Sequence, residues 1–273
     1  MKIDAHQHFW KLDRGDYDWL TPDLAPIYRD FSPNDLHPLL KAEGFDGTIV
    51  VQATDTEDET DYLLSLADTH DWILGVVGWV DLEGEDAIAR IAKFAENHKF
   101  VGVRPIIQSL KDDDWMLRPS LAPAISALIN HGLCFDALVM PRHLPHLQKF
   151  LDTYPDLPVV IDHCAKPEIR SYMFQPWADQ IKEIAENSTA MCKLSGLVTE
   201  AKPDWAAEDI LPYADHILTC FGPDRVMFGS DWPVLNLAGN YKKWSALARI
   251  LCLELSAIEK DAVFGETARR FYL

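Results

Sequence analysis

The chain is 273 residues long, 48% hydrophobic and 25% charged, which suffices for one full core and excludes a disordered chain. A formal net charge of −18 repels a nucleic-acid backbone and an anionic membrane surface, so neither is expected as a partner. The cysteines, Cys134, Cys164, Cys192, Cys220 and Cys252, are odd in number, far apart and without a C-x-x-C pair, and with no signal-peptide pattern they read as free thiols of a reducing, cytoplasmic compartment.

The first predicted element, the strand Lys2–His8, opens Asp4-Ala5-His6-Gln7-His8-Phe9-Trp10. Alternation puts His6 and His8 on one strand face, roughly 6–7 Å apart, where two imidazoles can share a divalent cation. A helix then starts at Ser32-Pro33-Asn34-Asp35, with a serine cap, proline at the first helical position and an acid in the first turn, and ends at Gly44. Strand Thr48–Ala53 is apolar on both faces up to Gln52, as a buried parallel strand should be. Helix Glu57–His70 and, beyond strand Ile73–Val80, helix Glu85–His98 repeat apolar residues at helical spacing.

The alternation continues through strand Phe100–Ile106, helix Leu121–Asn130, strand Leu133–Met140, helix Leu144–Thr153, strand Val159–His163 and helix Trp177–Asn187. It closes with strand Ala190–Ser195, helix Trp205–Phe221, strand Arg225–Ser230 and helix Tyr241–Leu255, and a last helix begins at the capping box Ser256-Ala-Ile-Glu259. Eight strands alternating with eight helices, without a linker, predict a single (β/α)₈ barrel of the TIM type over residues 1–273. The alternative, a doubly wound open sheet, is disfavoured by the absence of a G-x-G-x-x-G or P-loop turn.

In such a barrel chemistry gathers at the C-terminal ends of the strands. Those ends supply His6, His8 and Trp10, then Gln52, Trp79 and Asp81, then Arg104, Asp162-His163 with Lys166 close behind, Lys193 and Ser195, and Ser230-Asp231-Trp232. Asp162, next to His163 and so on the other face of its strand, reads as structural. The tryptophans have a packing role to set against a binding one, but an indole face also suits the apolar C–H face of a sugar ring.

Four segments carry a family resemblance: Ile3-Asp-Ala-His-Gln-His-Phe-Trp10, Gly102-Val-Arg-Pro105, Val160-Ile-Asp-His163 with Lys166-Pro167, and Met227-Phe-Gly-Ser-Asp-Trp-Pro233. In this order they resemble the amidohydrolase superfamily, its amidohydrolase-2 branch, and within it the sugar-lactone hydrolases that act on L-fucono- and L-rhamnonolactones. The resemblance implies hydrolysis by an activated water. It implies a metal pair at His6 and His8, a strand-six histidine at His163, and at Asp231 the aspartate that takes the proton from water and touches the metal. Members with two metals carry a lysine or acid and a histidine on strands four and five. Here strand four ends in Arg104 and strand five has neither lysine nor histidine at its tip, so one divalent ion, zinc first among candidates, is expected, and some lactonases of the branch dispense with it.

The expected protein is therefore a lactonase. Asp231, His163 and Arg104 are its catalytic residues. Trp10, Gln52, Arg104, Lys166 and Trp232 bind a small sugar lactone, and His6, His8 and Asp231 hold the metal. Three other readings compete: a metal-dependent decarboxylase of an aromatic acid, a dicarboxylate-lactone hydrolase, which would want several arginines at the mouth, and a catalytically silent sugar-binding barrel.

Overall fold

The runs of β-branched residues pair side by side in the order of the sequence. In the computed structural model, which describes residues 1–273, they form one eight-stranded parallel sheet, β1 to β8 in unbroken order. The strands are β1 Ile3–Gln7, β2 Gly47–Val51, β3 Ile73–Gly78, β4 Phe100–Val103, β5 Cys134–Ala137, β6 Val159–Ile161, β7 Met191–Leu194 and β8 Val226–Phe228. The helices between them are α1 Pro33–Ala42, α2 Glu57–Thr69, α3 Ala87–Ala95, α4 Ala122–Asn130, α5 Leu144–Thr153, α6 Trp177–Asn187, α7 Leu197–Glu200 and α8 Ala207–Phe221, followed by α9 Tyr241–Leu251, α10 Ala257–Asp261 and α11 Thr267–Tyr272. The predicted elements are present, mostly shorter at their ends, and α7 is an extra turn after β7 that no apolar period announced. No helix is long and apolar enough to cross a membrane.

The predicted start signals act as read. The Asp35 carboxylate accepts from Ser32 N (2.9 Å) and Ser32 Oγ (2.6 Å), and Ser256 and Glu259 exchange bonds across the start of α10, satisfying helix-end donors that have no partner within the helix.

The barrel interior is layered. Ile3, Ala5, Ile49, Val51, Val77, Val101, Val160 and Met227 form an apolar floor, plugged from below by Tyr272 of α11. Above it lies a polar layer containing His6, Arg104, Asp136, Asp162 and Lys193, all buried. The β1–β2 pairing slips between Asp4 and Gln7. At that slip β1 changes phase, so that Ile3 and Ala5 face the floor while His6 and His8 face the layer above it. A second, larger core packs the outer strand faces against the helices.

Candidate active site and metal centre

The barrel closes where β8 runs out beside β1. Asp231 N donates to His6 O (2.8 Å) and His8 N to Trp232 O (2.7 Å), so the backbone that seals the ring also fixes His6, His8 and Asp231 together. Asp4 braces the same seam, its Oδ1 accepting from Ser230 N at 2.8 Å and its Oδ2 from Tyr241 Oη at 3.0 Å. Burial lifts its carboxyl to about 6 against the pull of the bonds from Ser230, His6 and Tyr241. Gly229 permits the close approach, because a Cβ there would stand 2.7 Å from His6 Cβ. Asp231 itself has φ 57°, a left-handed conformation that Asp tolerates better than most residues.

His163 arrives by an unusual route. After β6 the chain makes a left-handed turn in which His163, Cys164, Ala165 and Lys166 all have φ between 51° and 58°. Non-glycine residues there cost roughly 1–2 kcal/mol each. The turn is held by Lys166 N on His163 O (2.8 Å), Trp177 Nε1 on Cys164 O (2.8 Å) and Cys164 Sγ on Lys193 O (3.3 Å). Its consequence corrects the strand reading. Strict alternation would send Asp162 and His163 to opposite faces, whereas here both reach the interior: Asp162 lies 3.5 Å from His6 Nδ1 and 3.3 Å from Arg104 Nη1. His163 Nδ1 bonds Ser195 Oγ at 2.8 Å, and Gly196 leaves room for the ring, since a Cβ there would lie 2.6 Å from it.

Four side chains converge. His6 Nε2 and His8 Nε2 are 3.2 Å apart, and Asp231 Oδ1 is 3.3 Å from His8 Nε2 and 3.8 Å from both His6 Nε2 and His163 Nε2. Ligand atoms of a tetrahedral ion with bonds of about 2.0–2.1 Å stand roughly 3.3–3.4 Å apart, so His6, His8 and Asp231 fit one divalent cation of the zinc type, with His163 at its flank. The bond from His8 Nδ1 to Val51 O, 2.7 Å long, supports the same fit. It puts the proton of a neutral His8 on Nδ1 and turns the lone pair of Nε2 towards the carboxylate, leaving two acceptors face to face with a place for a positive charge between them.

At neutral pH the electrostatics keep His6 and His163 neutral and the aspartate charged. Burial drives His163 down to about 4, against the pull of Asp231 and Asp162. Burial and then the Lys193 charge hold His6 well below its ordinary value. Burial alone would raise Asp231, but the charge of His163, the contact with His8 and the charges of His6 and His8 outweigh it and hold the carboxyl far below the usual carboxylate range.

A cavity of about 660 Å³ opens above this centre, lined by His8, Arg104, His163, Lys166 and Asp231 together with Trp19, Trp79 and Trp115. That volume is within the range of small-molecule sites. Arg104 and Lys166 thus reach the cavity, as expected. Three other expected contacts do not. Gln52 is wholly buried and serves Arg104, donating from Nε2 to its carbonyl (2.8 Å) and accepting from its Nη2 (3.1 Å). Trp10 stacks beside His8 and packs on Trp19 and Phe31, with its indole N–H on Arg29 O. Trp232 packs edge-on against Phe9 and Phe31. The aromatic walls come from Trp79, directly after β3, and from two tryptophans in loops. Trp19 is fixed by Ala53 O (2.8 Å) and Trp115 by Glu83 Oε2 (2.8 Å); neither residue follows a strand, so the strand-end reading passed over them.

The alternating barrel with a histidine pair on β1, a histidine after β6 and an aspartate after β8 defines an amidohydrolase-type centre. The amidohydrolase family model matches residues 3–273, and the chain belongs to that family. It is 46% identical to an L-fucono-1,5-lactonase of Burkholderia ambifaria, over 99% of this chain and 95% of that protein. It is 37% identical to an L-fucono-1,5-lactonase of Burkholderia multivorans, over 100% and 96%. Among solved structures, an amidohydrolase from Burkholderia multivorans with bound zinc superposes with a TM-score of 0.95 at 36% identity, covering 100% of this chain and 99% of that one.

Proposed function

We propose that the protein hydrolyses a neutral sugar lactone of the L-fuconolactone class to the open-chain aldonate. The observation that carries the reading is the convergence of Asp231 with His8 and His163 beside Arg104 at the floor of the cavity, in a chain related over its whole length to lactonases.

The charge of the cavity supports a neutral substrate. Asp16, Asp18, Asp55, Asp81, Glu83 and Asp231 line it against Arg104 and Lys166 alone. Both cations are already engaged, Arg104 by Asp162 at 3.3 Å and Lys166 by Glu200 at 2.6 Å. A dicarboxylate lactone or a benzoate would find no free cationic clamp there, whereas sugar hydroxyls can donate to the carboxylates and stack on Trp19, Trp79 or Trp115.

In this mechanism Asp231 accepts a proton from water as the water oxygen bonds to the lactone carbonyl carbon. Arg104 and the neutral His163 steady the oxyanion. Asp231 then returns the proton to the ring oxygen as the carbon–oxygen ring bond breaks, and at neutral pH the new carboxyl group releases its proton. A carboxylate as acidic as Asp231 is a feeble base towards free water. A divalent ion held by His6, His8 and Asp231, with zinc the natural choice for two imidazoles and a carboxylate, would supply an acidified water and a Lewis acid for the carbonyl. Asp231 and Arg104 keep their roles without it, so residual turnover is expected after chelation.

The test is a panel of aldonolactones followed with a pH indicator before and after chelation. Acid release from fuconolactone-type substrates is the expected result. Hydrolysis confined to dicarboxylate lactones, or carbon dioxide release from aromatic acids with every aldonolactone inert, would overturn the reading.

A further inference from the structure

Behind the histidines the barrel holds a second set of metal-type donors, and a lysine already sits among them. His6 Nδ1 and carboxylate oxygens of Asp136 and Asp162 lie within 4.8 Å of one another, all buried. Lys193 Nζ is between them, 2.5 Å from Asp136 Oδ2, 3.0 Å from Asp162 Oδ1 and 3.0 Å from His6 Nδ1. Tyr272 Oη holds both Asp136 oxygens at 2.9 Å from below. The Lys193 side chain is wholly shielded from solvent, a rare state for lysine unless it is fully paired.

The contact with His6 has a chemical consequence. An ammonium can only donate, so its bond to Nδ1 leaves the proton of a neutral His6 on Nε2, directed at His8 Nε2, 3.2 Å away. A cation bound through His6 Nε2 requires the other tautomer, with the proton on Nδ1 and given to an acceptor. Asp162 Oδ1, at 3.5 Å, is the acceptor in place for it. Nδ1 therefore faces a donor and an acceptor that favour opposite tautomers, and the donor is closer and carries a positive charge; Arg104 Nη1, 3.4 Å from Nε2, opposes it from the longer distance.

We propose that Lys193 is a built-in cation that competes with a divalent metal for His6: it fills the cage of His6, Asp136 and Asp162, sets the tautomer of His6 and lowers the metal affinity of the site that His6, His8 and Asp231 form above it. Lys193 is on this account a positioning residue that never touches substrate. The inference rests on the geometry of the buried cluster, and its readouts use no lactone, so a failed lactonase assay leaves it standing.

The experiment titrates cobalt(II) into metal-stripped wild-type protein, Lys193→Met and Lys193→Met/Asp136→Asn. The double variant loses one charge of each sign, which keeps the net charge of the cluster and safeguards folding if the single variant leaves Asp136 unpaired. Binding is read by calorimetry and by the visible absorption of the bound ion. The proposal expects cobalt to bind both variants at least tenfold more tightly than wild type. A gain in the double variant reports the tautomer, because net charge is unchanged. Histidine ¹⁵N spectra of the stripped wild type should show His6 protonated on Nε2, with the proton moved to Nδ1 in the double variant. A merely structural lysine predicts the reverse, a looser site. Equal or weaker cobalt binding in the folded double variant overturns the proposal, and so does a wild-type His6 that carries its proton on Nδ1.

Discussion

Replacing Asp231 by asparagine tests the hydrolytic centre most directly. The amide keeps the shape of the carboxylate and tolerates the left-handed φ of 57° that alanine would occupy only under strain. Its backbone bond to His6 O, 2.8 Å long, is untouched, so the barrel seam stays closed. What disappears is the proton acceptor and the negative charge that three imidazoles surround. Loss of a general base costs about 10²–10⁴ in rate, which is roughly 2.7–5.4 kcal/mol of barrier at 1.36 kcal/mol per decade. The assay is initial acid release at saturating fuconolactone, with thermal unfolding measured in parallel. The expected pattern is a kcat lower by that factor with a Tm within a few degrees of wild type. A well-folded Asp231→Asn enzyme turning over within threefold of wild type would refute the assignment, and with it the idea that the seam carries the base.

Three further outcomes follow from the surroundings. Glu59 Oε2 accepts from Ala53 N (2.9 Å) and Thr54 N (2.8 Å) on the cavity's edge, and burial lifts its carboxyl from 4.5 to about 7. The folded chain then keeps a proton that the unfolded chain releases over that interval, so stability falls as pH rises through it, by roughly 3 kcal/mol in all. Thermal unfolding from pH 5 to 8 should show Glu59→Gln losing less stability than wild type, and identical slopes would count against the shift. Glu83 receives Trp115 Nε1 (2.8 Å) and Arg118 Nη1 (2.9 Å), so Glu83→Ala should slacken the Trp115 wall and raise KM about tenfold, equivalent to 1.4 kcal/mol, with kcat nearly constant. A fall in kcat at constant KM would place Glu83 in the chemistry instead. The acidic cavity should also repel the aldonate product. Salt screens such repulsion, over about 10 Å at 0.1 M, so product inhibition measured by progress curves should strengthen with added potassium chloride, and inhibition that weakens would contradict a repulsive mouth.

The barrel was legible because β-branched runs and amphipathic stretches alternate without a break, and each local signal agrees with the global order. The Ser32 and Ser256 starts were readable for the same reason: a side-chain oxygen three residues before its partner leaves a fixed pattern in the sequence. The His6, His8 and Asp231 convergence followed from strand-end positions plus resemblance. The misplacements have distinct physical causes. Asp162 continues the interior face of Val160, and His163 joins it there through a run of left-handed residues that no glycine marks, which period-two reasoning has no means of registering. Gln52, Trp10 and Trp232 sit at strand ends, yet the first hydrogen-bonds to Arg104 and the two indoles turn into the packing beneath the loops. Trp19 and Trp115 lie in loops, where position along the chain says little about direction. Lys193 was visible as a charge in an apolar strand, but only three-dimensional neighbours could tell that it fills a cage.

The closing of the ring has a temporal consequence. His8 and Asp231 meet across 223 positions of sequence, and the bonds that bring them together are the same ones that join the first strand to the eighth. A partly synthesised or partly unfolded chain, however well ordered its middle, holds half a reaction centre and no vessel around it. Chemical competence arrives all at once, when the last parallel neighbour docks, so turnover during refolding should lag behind the recovery of helical signal and coincide with the final step of assembly.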